Sequence, residues 1–252
     1  MNEKYDLSNF KKIVNDLGLN LTDEQYEQFI KYYELLVKWN EVMNLTAITE
    51  YDEVIVKHFA DSLSLIKAID KEVLVRGSFK EGGSKITVID IGTGAGFPGI
   101  PLKIAFPNLQ ITLLDSLNKR VGFLNNVIEE LGLKGIDALH GRAEDYAKKG
   151  QLRESFDVCV SRAVANLSTL SEYCLPYVKV GGCFIAYKSE KTAQEVDAAQ
   201  NALDKLGGKL ISCEEFNLPG TDLFRTMVKI NKEKTTPGKY PRKAGTPSKE
   251  PL

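Results

Sequence analysis

The sequence has no long hydrophobic run. No uninterrupted apolar stretch approaches the roughly 18 residues that a helix needs to cross a bilayer. The opening residues, 1–6, are polar and charged and do not have the pattern of a secretory signal peptide. We therefore expect a cytoplasmic protein that has no membrane partner.

Cysteine and histidine are also scarce. The four cysteines are separated by 15, 9 and 30 positions, and the chain has only two histidines. No Cys-x-x-Cys or His-Glu-x-x-His spacing occurs, so a structural zinc ion, an iron–sulfur cluster and a redox dithiol are not expected. The sequence predicts reduced cytosolic thiols and no bound metal.

An excess of charge of either sign is missing from the chain as a whole. Thirty-three basic and thirty-four acidic residues give a net charge of −1, which by itself does not indicate a nucleic-acid-binding protein. The distribution is uneven, because residues 229–252 carry seven basic and two acidic side chains, a local charge of +5. Composition is otherwise that of a globular protein, and 252 residues suffice for one large domain or a domain with an accessory lobe.

The first 75 residues are expected to form a small helical lobe. Thr22 to Gln25 has the form of a capping box, with Leu21 and Tyr26 placed as a hydrophobic staple. Apolar residues then recur every three to four positions, which is typical of a helix with one buried face. A second helix is predicted over 53–69, followed by a glycine-containing linker at 76–84.

Residues 76–231 show the alternation of an α/β domain. Short β-branched runs at 86–89, 110–114, 156–160 and 183–187 alternate with helical patterns at 118–131, 166–174 and 191–206. This alternation predicts a parallel sheet with helices on both faces. Two further runs, 210–216 and 224–230, have only a short turn between them, so the sheet is expected to end in an antiparallel hairpin.

The last segment, residues 232–252, is predicted to be an extended basic arm. Four of the nine prolines in the chain interleave with its basic residues. Such a segment cannot form a core of its own, and it can neutralise phosphates along an RNA groove. The alternative is that the arm folds back on its own domain, where Tyr240 would pack.

A glycine-rich turn follows the first strand of the α/β domain at 90–99. Glycines there allow positive φ and a close approach of the backbone to a ligand, at the strand end where open α/β sheets bind small molecules. Gly94, Gly96 and Gly99 also satisfy the G-x-G-x-x-G pattern of dinucleotide-binding loops. A nicotinamide-dependent oxidoreductase is therefore one alternative.

Other features favour a nucleoside cofactor that has no pyrophosphate. Pro98 and Pro101 are expected to interrupt the helix that would bind the pyrophosphate. Asp90 is suited to a cationic ligand such as the amino acid end of S-adenosylmethionine, and the terminal hairpin is unusual for a dinucleotide-binding sheet. Asp115, nineteen residues after Gly96, is expected to accept ribose hydroxyls, which serves either cofactor.

Several motifs together resemble those of one family, the RsmG (glucose-inhibited division protein B, GidB) family of 16S rRNA guanine-N7 methyltransferases. The resemblance covers almost the whole chain. It rests on Trp39-Asn40, Asn44-Leu45-Thr46, His58-x-x-Asp61-Ser62, the turn from Asp90 to Pro101, Leu114-Asp115-Ser116, Lys119-Arg120-x-x-Phe123-Leu124, Arg142-Ala143-Glu144, Ser161-Arg162-Ala163 and Tyr187-Lys188.

The resemblance implies a seven-stranded Rossmann-like methyltransferase sheet with an N-terminal helical lobe. It further implies S-adenosylmethionine as methyl donor and, as acceptor, N7 of a guanine in the decoding-region loop of 16S rRNA or of the small ribosomal subunit. Carried over by position, Gly92 and Phe97 contact the cofactor, Ala143 and Glu144 contact its adenine, and Arg162 lies on the methyl-donor side.

No catalytic base is expected, because guanine N7 has an in-plane lone pair and no proton. Alignment and electrostatics would then carry the rate. The chain also lacks an Asn/Asp-Pro-Pro-aromatic clamp and a Pro-Cys pair, which agrees with methylation at neither an exocyclic amine nor C5. A non-catalytic ribosome-assembly factor that retains a cofactor fold is a further alternative.

Each remaining candidate also has a structural interpretation. Arg162 would pair with Asp157 or Glu172, and His58 and Asp61 would bridge helices. Basic side chains near the cleft and in the arm would bind RNA phosphates, or would only be solvated. These candidates for RNA binding are Lys119, Arg120, Arg142, Lys188, Lys239, Arg242 and Lys243.

Overall fold

The computed structural model describes residues 5–162, 165–189 and 192–252. The opening stretch 1–4, Ala163 and the predicted helix start at Lys191 lie outside the described residues. Within the described ranges, no helix is both long enough and apolar enough to cross a membrane.

The N-terminal region is helical, as predicted, with more elements than expected. The helices are α1 (Ser8–Asp16), α2 (Asp23–Met43), α3 (Tyr51–Val54), α4 (Asp61–Leu63) and α5 (Lys71–Arg76), with a π-helical turn at Ile55–Ala60 and a 3₁₀ turn at Ser64–Lys67. The capping box is confirmed, because the Gln25 amide donates to Thr22 Oγ1 at 3.2 Å and the Thr22 amide donates to Gln25 Oε1 at 2.8 Å. The single helix predicted over 53–69 is wrong, since π and 3₁₀ turns divide that segment.

A seven-stranded mixed sheet forms the centre of the molecule. Its strands are β1 (Thr87–Ile91), β2 (Gln110–Asp115), β3 (Ile136–His140), β4 (Phe156–Arg162), β5 (Val178–Lys188), β6 (Gly208–Asn217) and β7 (Phe224–Lys232). The order across the sheet is β3-β2-β1-β4-β5-β7-β6, and β7 is antiparallel to both of its neighbours. The predicted parallel sheet with a terminal antiparallel hairpin is therefore confirmed. Sequence patterning missed β3, where only Ile136 is buried.

Helices cover the sheet, and one of them corrects a prediction. They are α6 (Gly99–Ala105), α7 (Asn118–Glu130), α8 (Ala143–Tyr146), α9 (Leu167–Cys174) and α10 (Thr192–Leu206), with a 3₁₀ turn at Leu175–Tyr177. The prolines were expected to interrupt a helix after the glycine-rich turn, yet α6 begins directly after Pro98 and contains Pro101 in its first turn. A missing N–H is tolerated there, because the first amides of a helix have no partner within it.

The helical lobe and the sheet share one hydrophobic core. Phe29 and Tyr32 of α2 pack with Phe59, and the Tyr32 ring lies 5.5 Å from that of Phe97 in the glycine-rich turn. The buried Tyr32 hydroxyl donates to the Ala95 carbonyl at 2.5 Å. The lobe therefore fixes the turn that follows β1, whereas a domain boundary near residue 75 stays a prediction.

The C-terminal segment folds back on the domain, so the prediction of an extended arm is wrong. Tyr240 is 6% exposed and belongs to a buried hydrophobic cluster that also contains residues of α9 and α10. Arg153 donates to the carbonyls of Thr236 at 2.5 Å and of Tyr240 at 2.8 Å. A last short helix, α11 (Thr246–Lys249), follows. The alternative, in which Tyr240 packs, is therefore what the structure shows.

Candidate active site

The glycine-rich turn lies at the carboxyl end of β1, between the ends of β2 and β4. Gly92, Gly94 and Gly96 have φ values of +71°, +63° and +99°. A Cβ at Gly94 would meet only the Gly92 carbonyl oxygen, at 4.0 Å, whereas one at Gly96 would lie 2.7 Å from the Tyr32 hydroxyl oxygen. Gly94 therefore borders open space that a ligand can use, while Gly96 is required for packing against α2.

Asp90 lies beneath this turn and is fully buried. Its Oδ2 accepts hydrogen bonds from Thr93 Oγ1 at 2.6 Å and from the Gly99 amide at 2.9 Å. Burial raises the pKa of Asp90 to about 6, although these two hydrogen bonds oppose the shift. Its Oδ1 has no partner among the described residues, so one buried acceptor remains for a donor group of a ligand. A contact with a cationic ligand stays a prediction.

Asp115 ends β2 and joins that strand to the turn. Its Oδ2 accepts from the Gly94 amide at 2.9 Å, and its Oδ1 accepts from the Leu117 amide at 2.9 Å. Arg120 lies 3.5 Å from Oδ2. Because each carboxylate oxygen has two lone pairs, Asp115 retains the capacity to accept further hydrogen bonds. Its contact with ribose hydroxyls stays a prediction.

A cavity of about 390 Å³ opens at the ends of β1, β2 and β3, where the two sequence neighbours of Asp115 line it, and we call it the donor cavity. Three of the predicted cofactor residues, Gly92, Ala143 and Glu144, line it. Its other lining residues are Ile91, Leu114, Ser116, Gly141, Arg142, Tyr173 and Gly245. A glycine turn with open space and a nearby carboxylate fit a nucleoside cofactor. Sequence reasoning missed Tyr173 and Gly245, which come from distant segments and belong to no motif.

A second cavity, of about 550 Å³, lies at the ends of β4 and β5, and we call it the acceptor cavity. Asp61 is 1% exposed and pairs with two guanidinium groups, those of Arg162 at 2.8 Å and Arg225 at 2.7 Å. The structural alternative for Arg162 is therefore wrong, because Asp157 pairs with Lys179 and Glu172 with Arg242. Arg162 was predicted to bind the cofactor, but it lines the acceptor cavity and not the donor cavity, so that role stays a prediction. Arg225, near the start of β7, was missed because it is 164 positions from Asp61 and lies in no motif.

The rings of Phe97 and His58 lie against the charge cluster that Asp61, Arg162 and Arg225 form. The His58 ring stacks on Phe97 with centroids 4.5 Å apart, and the Arg162 guanidinium lies 5.0 Å from the Phe97 centroid. Burial, and then the charge of Arg162, lower the pKa of His58 to about 4. His58 is therefore neutral near pH 7. Its Nε2 lies 2.9 Å from Thr46 Oγ1.

The predicted RNA-binding side chains differ in their exposure and in whether an acidic side chain pairs with them. Lys188 contacts Glu195 at 2.6 Å, and Arg242 binds Glu172 through two nitrogens. Arg120 is half-buried beside Asp115. The exposed members of the set are Lys119, Arg142, Lys239 and Lys243. RNA binding by any of these residues stays a prediction.

Comparison with known proteins agrees with this geometry. The sequence model of the family described as rRNA small subunit methyltransferase G (GidB) matches residues 25–223. A protein of Lachnoclostridium phytofermentans named ribosomal RNA small subunit methyltransferase G is 56% identical, over 98% of each chain. A protein of the same name from Exiguobacterium sibiricum is 50% identical, over 96% of this chain and 98% of its own.

Among solved structures, the YcgJ protein of Bacillus subtilis shares the fold. It has a TM-score of 0.50 at 14% identity, over 70% of this chain and all of its own. The family model matches most of the chain, and relatives that are about half identical to it match over nearly its full length. The chain therefore belongs to the rRNA small subunit methyltransferase G (GidB) family of S-adenosylmethionine-dependent methyltransferases.

Proposed function

We propose that this methyltransferase transfers the methyl group of S-adenosylmethionine to N7 of a guanine in the decoding-region loop of 16S rRNA. The main observation in support is that both cavities lie at the carboxyl ends of the parallel strands. The donor cavity is bordered by the open glycine turn. The acceptor cavity is lined by four cationic side chains and, among the residues that the structure describes, by two carboxylates that are both paired, Asp61 with arginines and Glu195 with Lys188. Membership of the family favours this function over a nicotinamide-dependent oxidoreductase.

The donor cavity and the adjoining turn and strand ends together have suitable groups for each part of the cofactor, although Asp90, Gly94 and Asp115 are not among the residues that line the cavity. Backbone at Gly92 and Gly94 would approach it closely, Asp115 would accept the ribose hydroxyls, and Ala143 with Glu144 would border the adenine. The unpartnered oxygen of Asp90 would accept from the amino group. When bound, S-adenosylmethionine supplies an electrophilic methyl group on a sulfonium.

The acceptor cavity is suited to orient a base and not to remove a proton from it. Asp61 is occupied by two arginines, and His58 is a weak base because its pKa is lowered to about 4. Guanine N7 attacks with its own lone pair, so neither group needs to act as a general base. The carboxylate of Asp61 also offsets part of the positive charge that faces the methylated ring.

Cationic side chains at this cavity are expected to orient the nucleotide. Arg162, Arg225 and Lys57 line a cavity large enough for a base removed from its stack, and the part-exposed Lys57 also pairs with Glu53. Enzymes that modify bases commonly read the extruded base inside such a pocket. The substrate is therefore proposed to enter as a single unpaired guanine.

The test is methyl transfer in vitro with isotope-labelled S-adenosylmethionine. The purified chain is incubated with 16S rRNA or small subunits, and 23S rRNA is the matched control. We expect one labelled guanine, modified at N7, in 16S rRNA only. Label on an exocyclic amine or in 23S rRNA would contradict the proposal, and a complete lack of transfer to any small-subunit substrate would favour the assembly-factor alternative.

A further inference from the structure

We propose that the C-terminal tail, residues 232–252, forms one wall of the donor cavity and holds Glu144 in position for the cofactor. This inference rests on the proposed function, because it takes the donor cavity as the S-adenosylmethionine site. The tail lies beyond the matched range of the family model, which ends at residue 223.

The tail is held along its length by buried polar contacts. Lys232, whose side chain is fully buried, donates to the Leu175 carbonyl at 2.7 Å. The Thr236 hydroxyl donates to the Leu206 carbonyl at 2.8 Å, and Arg153 donates to two tail carbonyls. Such contacts satisfy backbone groups that an extended arm would leave to water, so they define one path for the chain.

An ion pair with α9 fixes the middle of the tail. Glu172 is fully buried, and both of its oxygens accept from the Arg242 guanidinium, at 2.6 to 3.1 Å. The Arg242 amide also donates to Glu172 at 2.7 Å. A buried carboxylate without a cation is costly, so Glu172 strongly favours the docked position of the tail. Farther along, Thr169 donates to the Pro247 carbonyl at 2.9 Å.

The segment held in this way reaches the donor cavity. Gly245 lines that cavity, and its amide donates to Glu144 Oε1 at 3.1 Å. Glu144 is 8% exposed and lines the same cavity. The tail thus both closes part of the cavity and orients a carboxylate that faces it. A group oriented before binding loses less conformational entropy when the ligand arrives.

Tail docking and cofactor binding must therefore be coupled. By thermodynamic reciprocity, a tail that strengthens cofactor binding is itself held more tightly when the cofactor is bound. A tail that only braces the fold would stabilise the protein without such coupling. Cofactor affinity therefore distinguishes the two roles, because the loss of a tail with a purely structural role would lower stability without changing that affinity.

The first test is calorimetric binding of S-adenosylhomocysteine to three proteins. They are the full chain, a chain that ends at Lys243, and the full chain with Lys249→Gln. The truncation keeps the ion pair between Arg242 and Glu172 but removes Gly245, and Lys249 is an exposed residue of the same tail. We expect the truncation to weaken binding about tenfold or more, and Lys249→Gln to change it less than about twofold.

The second test is limited trypsin digestion of the full chain with and without S-adenosylhomocysteine. Lys243 and Lys249 are exposed tail sites, and Lys80, in the turn region before β1, is an exposed control site. We expect the ligand to slow cleavage after Lys243 and to leave cleavage after Lys80 unchanged. If the truncated chain does not fold, this comparison on the intact protein decides.

Three results would overturn the proposal. They are unchanged S-adenosylhomocysteine affinity with a lowered melting temperature, unchanged affinity with weakened rRNA binding, and ligand-independent cleavage after Lys243. Asp115→Ala, measured in parallel, separates this proposal from the proposed function. If Asp115→Ala weakens binding and the truncation does not, only the role of the tail is refuted; if neither does, the assignment of the donor cavity is refuted with it.

Discussion

Replacement of Asp90 by asparagine is expected to make the ligand-free protein less sensitive to pH. Asp90 is fully buried, and its pKa is raised from 3.8 to about 6, first of all by burial. The fold therefore disfavours the charged form. The resulting loss of stability is complete above about pH 6, decreases as the pH falls through the interval between the two pKa values, and disappears below about pH 4.

The magnitude follows from the difference between the two pKa values. A rise from 3.8 to about 6 corresponds to about 3 kcal/mol of destabilisation well above pH 6. About 1 kcal/mol of that cost is already present near pH 4.5, so the change between about pH 4.5 and pH 8 is about 2 kcal/mol. The asparagine side chain of the Asp90→Asn variant does not ionise, so that variant should not show this change. Groups titrating elsewhere cancel when the two proteins are compared.

The assay is equilibrium urea unfolding of both proteins at the two pH values, without cofactor. The quantity to compare is the difference in unfolding free energy between Asp90→Asn and the parent chain. We expect this difference to shift in favour of the variant by about 2 kcal/mol from about pH 4.5 to pH 8. A constant offset from altered hydrogen bonding does not affect that shift. A difference that is the same at both pH values would refute the reasoning.

Three other substitutions test the turn and the charge cluster. Gly94→Val is expected to abolish binding of S-adenosylhomocysteine while the fold survives. Gly132→Val, at an equally open site with φ +62°, should bind the ligand normally. Equal calorimetric affinities of the two variants would contradict the role of Gly94. Asp115→Ala should weaken S-adenosylhomocysteine binding by about 1.5–3 kcal/mol, because hydrogen bonds to a charged group are lost. A loss of binding free energy less than about half as large would indicate a carboxylate that does not contact the ribose. Asp61→Ala should lower the free energy of unfolding, measured in urea, by about 3–5 kcal/mol, because two largely buried guanidinium groups lose their partner. Asp145→Ala, at an exposed ion pair, should lower it by only about 0–1 kcal/mol. Similar effects at both positions would contradict the importance of the pairing of Asp61 with Arg162 and Arg225.

Features set by local patterns were predictable from the sequence. The capping box at Thr22 depends on residues three apart, and the terminal hairpin depends on the absence of a helix between two adjacent strands. Both were confirmed. The division of the 53–69 segment was not predictable, because the apolar spacing of the segment does not distinguish an α-helix from π and 3₁₀ turns, and its packing involves distant residues, such as the stacking of Phe59 on Tyr32.

The candidate site was predictable only where motifs mark it. Gly92, Ala143 and Glu144 were predicted and line one cavity. The pairing of Asp61 with Arg225 joins the helical lobe to the last strand, and neither spacing nor composition indicates such a contact. The tail was misjudged because its basic residues and prolines suggest solvation, whereas the buried carboxylate that holds Arg242 lies 70 positions earlier.

Mass spectrometry of 16S rRNA tests the proposed function most directly. The rRNA is taken from a strain in which the gene for this chain is deleted, and from the same strain complemented with the intact gene or with Asp115→Ala. We expect one N7-methylguanine of the decoding-region loop to be absent in the deletion strain, restored by the intact gene, and restored weakly or not at all by the variant. An unchanged set of N7-methylguanines in the deletion strain, or the loss of a methyl group at another atom, would contradict the account.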